Sequence, residues 1–291
     1  MIGLRFVVEH EAELPVERMC RLVAVPRSSF YAWRARTPSL RELADGELTK
    51  RIVEIHRASR HTYGAPRVWG QLRHAGINVS RKRVERLMRA EGLVGAHSRR
   101  RWRRGRPDAG GRPDLLNRDF TANAPNQRWV ADFTQFPTGE GPLFLAAIRD
   151  LFWKGIVGWD SAGRQTATVA VNALTMALAR TGHPDDVLAH ADKGPQYTSL
   201  EYAIAAGNAN VVLSFGSTGD AFDNAAMESF WGRLKVEIAH IRGDVRFATR
   251  AQAHAYLFEF IEVFYNRQRH QARLGHLTPA DYLAHWRGTN P

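Results

Sequence analysis

The chain has 291 residues, 44% of them hydrophobic, enough to bury a real core in two or three domains. Its formal charge of +12 and pI near 10.5 point to a polyanion, nucleic acid before an anionic membrane surface. A single cysteine, Cys20, excludes an intrachain disulfide framework and a Cys-based zinc cluster.

No apolar run approaches the roughly 18 residues of a membrane span; the longest lies near 142–148. Glu9, Glu11 and Glu13 interrupt any signal-peptide core, so a soluble, cytoplasmic, nucleoid-associated chain is expected.

The first helical signal, at 15–34, is a weak helix-turn-helix pattern with Ser28 or Ser29 as cap; a plain packing element fits it equally well. A stronger pattern starts at residue 66. One helix carries Val68, Trp69 and Leu72 on one face and stops at Gly76. The next has Ser80 as N-cap, Val84, Leu87 and Met88 as its buried stripe, and Gly92 past its end. Its other face carries Arg81, Lys82, Arg83, Arg86 and Arg89, with no acid in its first turn. A solvated helical hairpin would look similar, but the arginine tract that follows favours DNA, with most contacts to phosphate. That tract includes Arg99, Arg100, Arg101, Arg103 and Arg104, and 97–122 reads as a basic linker.

Beyond the linker, residues 128–136 alternate with period two. Trp129, Ala131 and Phe133 fall on one face, and Val130, Asp132, Thr134 and Phe136 on the other. Strands are expected at 143–149 and 154–160, with a hairpin turn at 138–141 between the first two. A helix over 166–180, a short strand at Val187–Ala189, a helix from about 199 and a strand at 211–215 follow. The segment from 217 is a Gly/Asp/Asn-rich loop running into an amphipathic helix. This order predicts an α/β layer with a mixed sheet. A last helix over 249–265, with Tyr256, Leu257, Phe260, Ile261 and Phe264 as its stripe, packs on the core or forms a subunit interface. The basic segment after it could touch DNA.

Three acids stand out by position. Asp132 lies in mid-strand, where a carboxylate is disfavoured and costly if buried alone. Asp192 comes just past a short strand, where α/β sheets place ligands. Glu228 opens the last core helix beside Phe230 and Trp231; alone, it reads as a first-turn acid matching the helix dipole. If the three converge, their repulsion requires a cation, and an oxygen-only donor set suits Mg²⁺ or Mn²⁺.

"WVADFTQF", "HADKGPQYTS" and "GDAFDNAAMESFWGRLKVE" resemble the three acidic blocks of the retroviral-integrase type of catalytic core. More narrowly, they resemble the second-frame (OrfB) transposases of the insertion-sequence-three family, with that family's spacing of 35 residues between Asp192 and Glu228. "HTYGAPRVWGQLR" resembles its helix-turn-helix and "FYNRQRHQARLGHLTPADYL" its C-terminal end, so the likeness covers nearly the whole chain.

The resemblance implies an RNase H-like core at 123–240. A helical segment (1–45) and a helix-turn-helix domain (46–96) would precede it, and a helical extension (241–291) would follow. It implies that Asp132, Asp192 and Glu228 are catalytic acids holding two Mg²⁺ ions for cleavage and strand transfer on double-stranded DNA. Lys193 and Lys235 would contact phosphates near the reacting strand, and His190 would be structural. It also implies a homo-oligomer on DNA and a first-frame (OrfA) protein, as a separate partner or as a frameshifted fusion. Trp153, Ala191 and Lys193 depart from the family's usual small Ser, Ser and Arg. The alternatives are a non-catalytic helix-turn-helix regulator or decayed transposase, and a plain RNase H-like nuclease.

Overall fold

The computed structural model describes residues 2–35, 37–97, 121–216 and 225–290. The chain divides into two compact units, Met1–Arg51 and Ile52–Pro291.

In the first unit, α1 (Ile2–Glu9), α2 (Val16–Leu22) and α3 (Arg27–Arg34) close over buried Val7, Met19, Cys20 and Phe30. The expected cap at Ser28 or Ser29 is not used. Helix α3 starts directly after Pro26, whose ring presets φ at −57°, so both serines fall inside the first turn. Helix α4 (Leu40–Ala58) follows.

The second unit opens with the expected pair, α5 (Ala65–His74) and α6 (Arg81–Ala90). Ser80 caps α6 as anticipated: its hydroxyl accepts from the Arg83 N–H at 3.3 Å. Gly76 and Gly92 take positive φ just past the two helix ends. Val68, Leu72, Val84, Leu87 and Met88 are buried, and the Trp69 indole donates to the Val79 carbonyl across the turn.

The core is a five-stranded sheet in the order β3-β2-β1-β4-β5. The antiparallel meander is β1 (Arg128–Phe136), β2 (Leu143–Asp150) and β3 (Ile156–Ala162). Strands β4 (Leu188–Ala191) and β5 (Val212–Phe215) run parallel to β1. The predicted alternation decides the layers. Trp129 and Ala131 face α7 (Ala167–Thr181) and α8 (Leu200–Asn208). Val130 and Phe136 face α9 (Ala225–Arg242) and α10 (Arg250–Phe258). The result is the anticipated mixed α/β fold, with helices on both faces.

Strand β3 starts two residues later than expected, because 151–155 form a tight turn. Buried Asp150 organises it, accepting from the N–H groups of Phe152 (2.7 Å), Trp153 (3.2 Å) and Asn126 (2.7 Å). Trp153 is accommodated by Gly155: a Cβ there would lie 1.7 Å from the indole ring. Gly158 sets how closely α7 approaches the sheet. A Cβ at 158 would meet the Ala173 carbonyl oxygen at 2.1 Å and the Ala177 nitrogen at 2.6 Å, both backbone atoms of α7. Gly158→Ala is therefore expected to destabilise the core at the top of the roughly 1–3 kcal/mol range for overpacking. Guanidinium unfolding measures this, and a loss below about 0.5 kcal/mol would mean that α7 moves aside freely.

The C-terminal helix departs from the expected continuous 249–265. After α10 the chain widens into a π-helix, Glu259–Gln268, before a 3₁₀ turn (Ala272–Leu274) and α11 (Pro279–Thr289). Leu257, Phe260, Ile261 and Phe264 are fully buried, as the stripe required. The wider turn also brings Asn266 onto the sheet edge. Its side-chain oxygen accepts from the Ile156 N–H (2.9 Å) and its Nδ2 donates to the Ile156 carbonyl (3.0 Å). That amide satisfies the N–H of an edge-strand residue and shares its carbonyl with Arg180, whose Nη1 donates to it at 3.3 Å.

Candidate active site

Asp132 sits midway along β1, opposite Ala147 of β2, on the face covered by α9. Two donors fix its carboxylate: its Oδ1 accepts from the Phe133 N–H at 2.8 Å, and its Oδ2 from the Trp231 indole at 2.9 Å. Burial pushes the Asp132 carboxyl up to about 7. The two hydrogen bonds oppose that rise, and the charges of Asp192 and, more weakly, Glu228 add to it.

Asp192 comes directly after β4, the parallel neighbour of β1, so it stands beyond the C-terminal end of that strand. It is exposed, and its Oδ1 accepts from the Gly194 N–H at 3.1 Å. A Cβ at Gly194 would sit 2.9 Å from that oxygen, so this turn needs the missing side chain. Glu228 lies exposed in the first turn of α9, its carboxyl raised by partial burial. Trp231 follows one turn later on the same helix face and ties α9 to β1 through Asp132. Phe230 and Trp231 are buried, which anchors the helix start.

The three acids thus gather at one end of the sheet, near enough for Asp132 to feel both others. They do not close on their own: among the described residues no group of three His, Cys, Asp or Glu is placed to hold one ion. The segment 217–224, which contains the predicted "GDAFDN" loop, lies outside the described residues. The donor chemistry fits a hard divalent cation. All three candidate ligands are carboxylates, and the cost that burial, with the charges of Asp192 and Glu228 adding to it, places on an ionised Asp132 is what a cation would relieve.

Lys235 shares the face of α9 that carries Glu228 and Trp231. It is half-buried, its Nζ 5.5 Å from the Phe136 ring centroid, and burial lowers its pKa against the attraction of Asp132. Lys193 is half-buried beside Asp192. His190 is buried in β4, its Nδ1 2.9 Å from the Ser214 hydroxyl of β5, which is a structural place.

Two residues of the site were not anticipated. In the sequence Trp231 is only an aromatic neighbour of Glu228, although its spacing three residues after that acid puts it on the same helix face. Tyr197 is buried, its ring 5.6 Å from that of Phe133. Burial, then Tyr202 and the charges of Asp132 and Asp192, push its hydroxyl well above the usual range.

On α6, Lys82, Arg86 and Arg89 are exposed and Arg83 is half-buried. Arg81 is also exposed and carries a local partner. It forms an ion pair with Glu85 one turn on (2.7 Å), because residues four apart share a helix face. Arg99, Arg100, Arg101, Arg103 and Arg104 lie outside the described residues. No described helix is long and apolar enough to cross a membrane.

Comparison with known proteins agrees with this layout. An HTH-like domain model matches residues 42–101, and integrase core domain models match 122–221 and 228–285. The chain is 38% identical over 271 residues to an insertion element IS600 31 kDa protein of Shigella sonnei, covering 91% of this chain and 97% of that protein. It is 36% identical over 282 residues to the transposase InsF for insertion sequence IS3A of Escherichia coli, covering 95% and 96%. Among solved structures, the HTLV-2 integrase catalytic core domain in complex with magnesium aligns with a TM-score of 0.43 at 15% identity, over 56% of this chain and 99% of that one.

Proposed function

We propose, from the premise that this chain belongs to the insertion-sequence-three family of transposases, that it cuts and joins DNA at the ends of its own element with Asp132, Asp192 and Glu228 as metal-holding carboxylates. The observation that carries this reading is geometric: Asp132, a mid-strand acid, has both oxygens held by donors and feels the charges of Asp192 and Glu228. Bound Mg²⁺, two ions in the full site, would supply activation of the attacking oxygen and charge stabilisation at the leaving 3′ oxygen; Mn²⁺ shares that chemistry.

The chain's own residues prepare this chemistry. Asp132 would hold the cation in its ionised form, and Phe133 N–H and Trp231 keep both its oxygens aimed. Glu228 is carried on a helix that Phe230 and Trp231 pin to the sheet. Lys193 and Lys235 flank the acids and would hold phosphates of the reacting strand. Tyr197, buried and held protonated, is not a nucleophile, in keeping with direct attack by water and then by a freed 3′-OH.

In this reading 46–96 recognises element ends, with Lys82, Arg83, Arg86 and Arg89 facing phosphates, and 123–240 does the chemistry. The arginines of the 97–122 linker follow the backbone. The working form is a homo-oligomer on paired ends, with the first-frame protein as partner or fusion.

The test is incubation of labelled element-end DNA and Mg²⁺ with the wild type and with Asp192→Asn. Joined products from the wild type, lost in the variant, are expected. Products unchanged in the variant would overturn the site assignment, and end binding with no product from either protein would favour the regulator.

A further inference from the structure

Helix α9 has a second working flank. Glu228, Trp231 and Lys235 share one face, whereas Ser229, Arg233 and Glu237 point away from it at helical spacing. Against that second flank lies a cavity of about 620 Å³, lined by Arg67 of α5, Arg149 of β2, Arg233 of α9, and Arg269 and Arg273 of the C-terminal segment. Five arginines from four separate parts of the chain meet there.

The carboxylate among them answers only part of that charge. Glu237 is fully buried, and both its oxygens are occupied. It accepts from Arg269 Nε and Nη2, each at 2.8 Å, and from Arg67 Nη1 at 3.1 Å. Arg149 is 8% exposed and has no carboxylate partner among the described residues. Its Nε donates to the Lys154 carbonyl (3.1 Å) and its Nη1 to the Ala226 carbonyl (3.0 Å). Arg233, half-buried, and Arg273, exposed, make neither a hydrogen bond nor an ion pair to any described residue. Crowding of like charge is felt nearby. The Lys154 ammonium is lowered to about 8, by burial first and then by Arg149 and Arg273, and the Arg67 guanidinium is lowered by burial, with Arg269 adding to it.

A buried guanidinium with no anion is expensive; Arg149 is such a group, Arg233 and Arg273 stand beside it unpaired among the described residues, and an anion entering the cavity offsets that cost. Arginines converging from several directions suit the tetrahedral oxygens of a phosphate. We propose that this cavity is a phosphate-binding site that takes the backbone of a DNA strand on the flank of α9 away from the catalytic acids. Arg149 couples the two flanks, since the carbonyl it holds, that of Ala226, lies two residues before Glu228. This inference rests on the DNA-joining reading above. DNA seated in the cavity would brace the start of α9, and with it the carboxylate of Glu228.

The experiment uses the full chain, with Arg233→Ala/Arg273→Ala as the variant, because neither side chain holds any part of the fold. Affinity for element-end DNA and for a scrambled duplex is measured by fluorescence anisotropy across a salt series. The expected result is a loss of about tenfold on both duplexes near 0.1 M salt, with the salt slope reduced by about 1–2, since phosphate contacts carry no sequence information. Unchanged affinity and slope, with the wild type still preferring element ends, would overturn this inference alone. Failure of the wild type to bind either duplex would overturn the DNA-joining reading as well. A parallel arm adds inorganic pyrophosphate and follows the thermal midpoint. Stabilisation of the wild type but not the variant, with unchanged DNA binding, would make the occupant a free oligophosphate and overturn the DNA assignment.

Discussion

Glu228→Gln is expected to lower cleavage and joining of element ends by at least about 10³-fold while leaving end binding near the wild-type level. Glutamine keeps the size and most of the packing of the side chain, which is exposed at the start of α9, so the fold has little to lose. What disappears is one of three negative charges that a divalent cation must find. Trp231→Phe provides the graded comparison. Phenylalanine still fills the apolar contact with α9's neighbours but removes the 2.9 Å hydrogen bond to Asp132. Groups that orient a ligand rather than supply one typically cost 10–100-fold when lost, and that is the expected fall in rate. The distinguishing reading is the Mg²⁺ titration: Trp231→Phe needs more Mg²⁺ for half-maximal rate and recovers at high concentration, whereas Glu228→Gln does not recover. If both variants fell equally and neither responded to Mg²⁺, Trp231 would be part of the core and nothing more.

How much of this site was legible in the sequence depends on the distance over which each interaction acts. Period-two alternation put Asp132 on the α9 face of β1, because the pleat makes that a local property. Ser80, Gly76 and Gly92 marked their helix ends for the same reason. Trp231's bond to Asp132 spans 99 positions, and no local pattern announces it. The Glu237–Arg269–Arg67 cluster joins α9 to residues far away on both sides, and the pairing of each charge appears only once the fold is closed.

The π-helix was hidden differently. Its apolar residues satisfy an ordinary helical stripe, and the wider turn is favoured by what Asn266 gains at β3. The turn at 151–155 escaped for a related reason. Lys154 and Gly155 were counted into the strand, but Asp150 gathers three N–H groups and Gly155 clears room for the indole, so both belong to the turn. On α6 the arginine pattern was clear, but Glu85 between them was not weighed, and it takes up Arg81.

The same carboxyl that makes the site useful should make the metal-free protein weaker, and Asp132→Asn exposes that cost. In the folded chain the Asp132 carboxyl is raised to about 7, against roughly 3.9 for an unfolded aspartate. Between those values the folded state holds a proton that the unfolded state has released, so stability falls as pH rises through the window and levels off above about 7. A shift of that size corresponds to roughly 4 kcal/mol at full effect. Asparagine abolishes the titration but offers one acceptor oxygen to the two donors, Phe133 N–H and the Trp231 indole, which costs about 1 kcal/mol. A net gain of roughly 2–3 kcal/mol is therefore expected at pH 8 in EDTA, shrinking to nothing or a slight loss near pH 4. Millimolar Mg²⁺ should raise the thermal midpoint of the wild type at pH 8 and leave that of Asp132→Asn nearly unmoved, since ligand binding to the folded state adds stability only where the ligand set is intact. Equal midpoints for the two proteins at pH 8 without metal would mean that Asp132 is ionised in comfort, and the strain ascribed to this acid cluster would have to be abandoned.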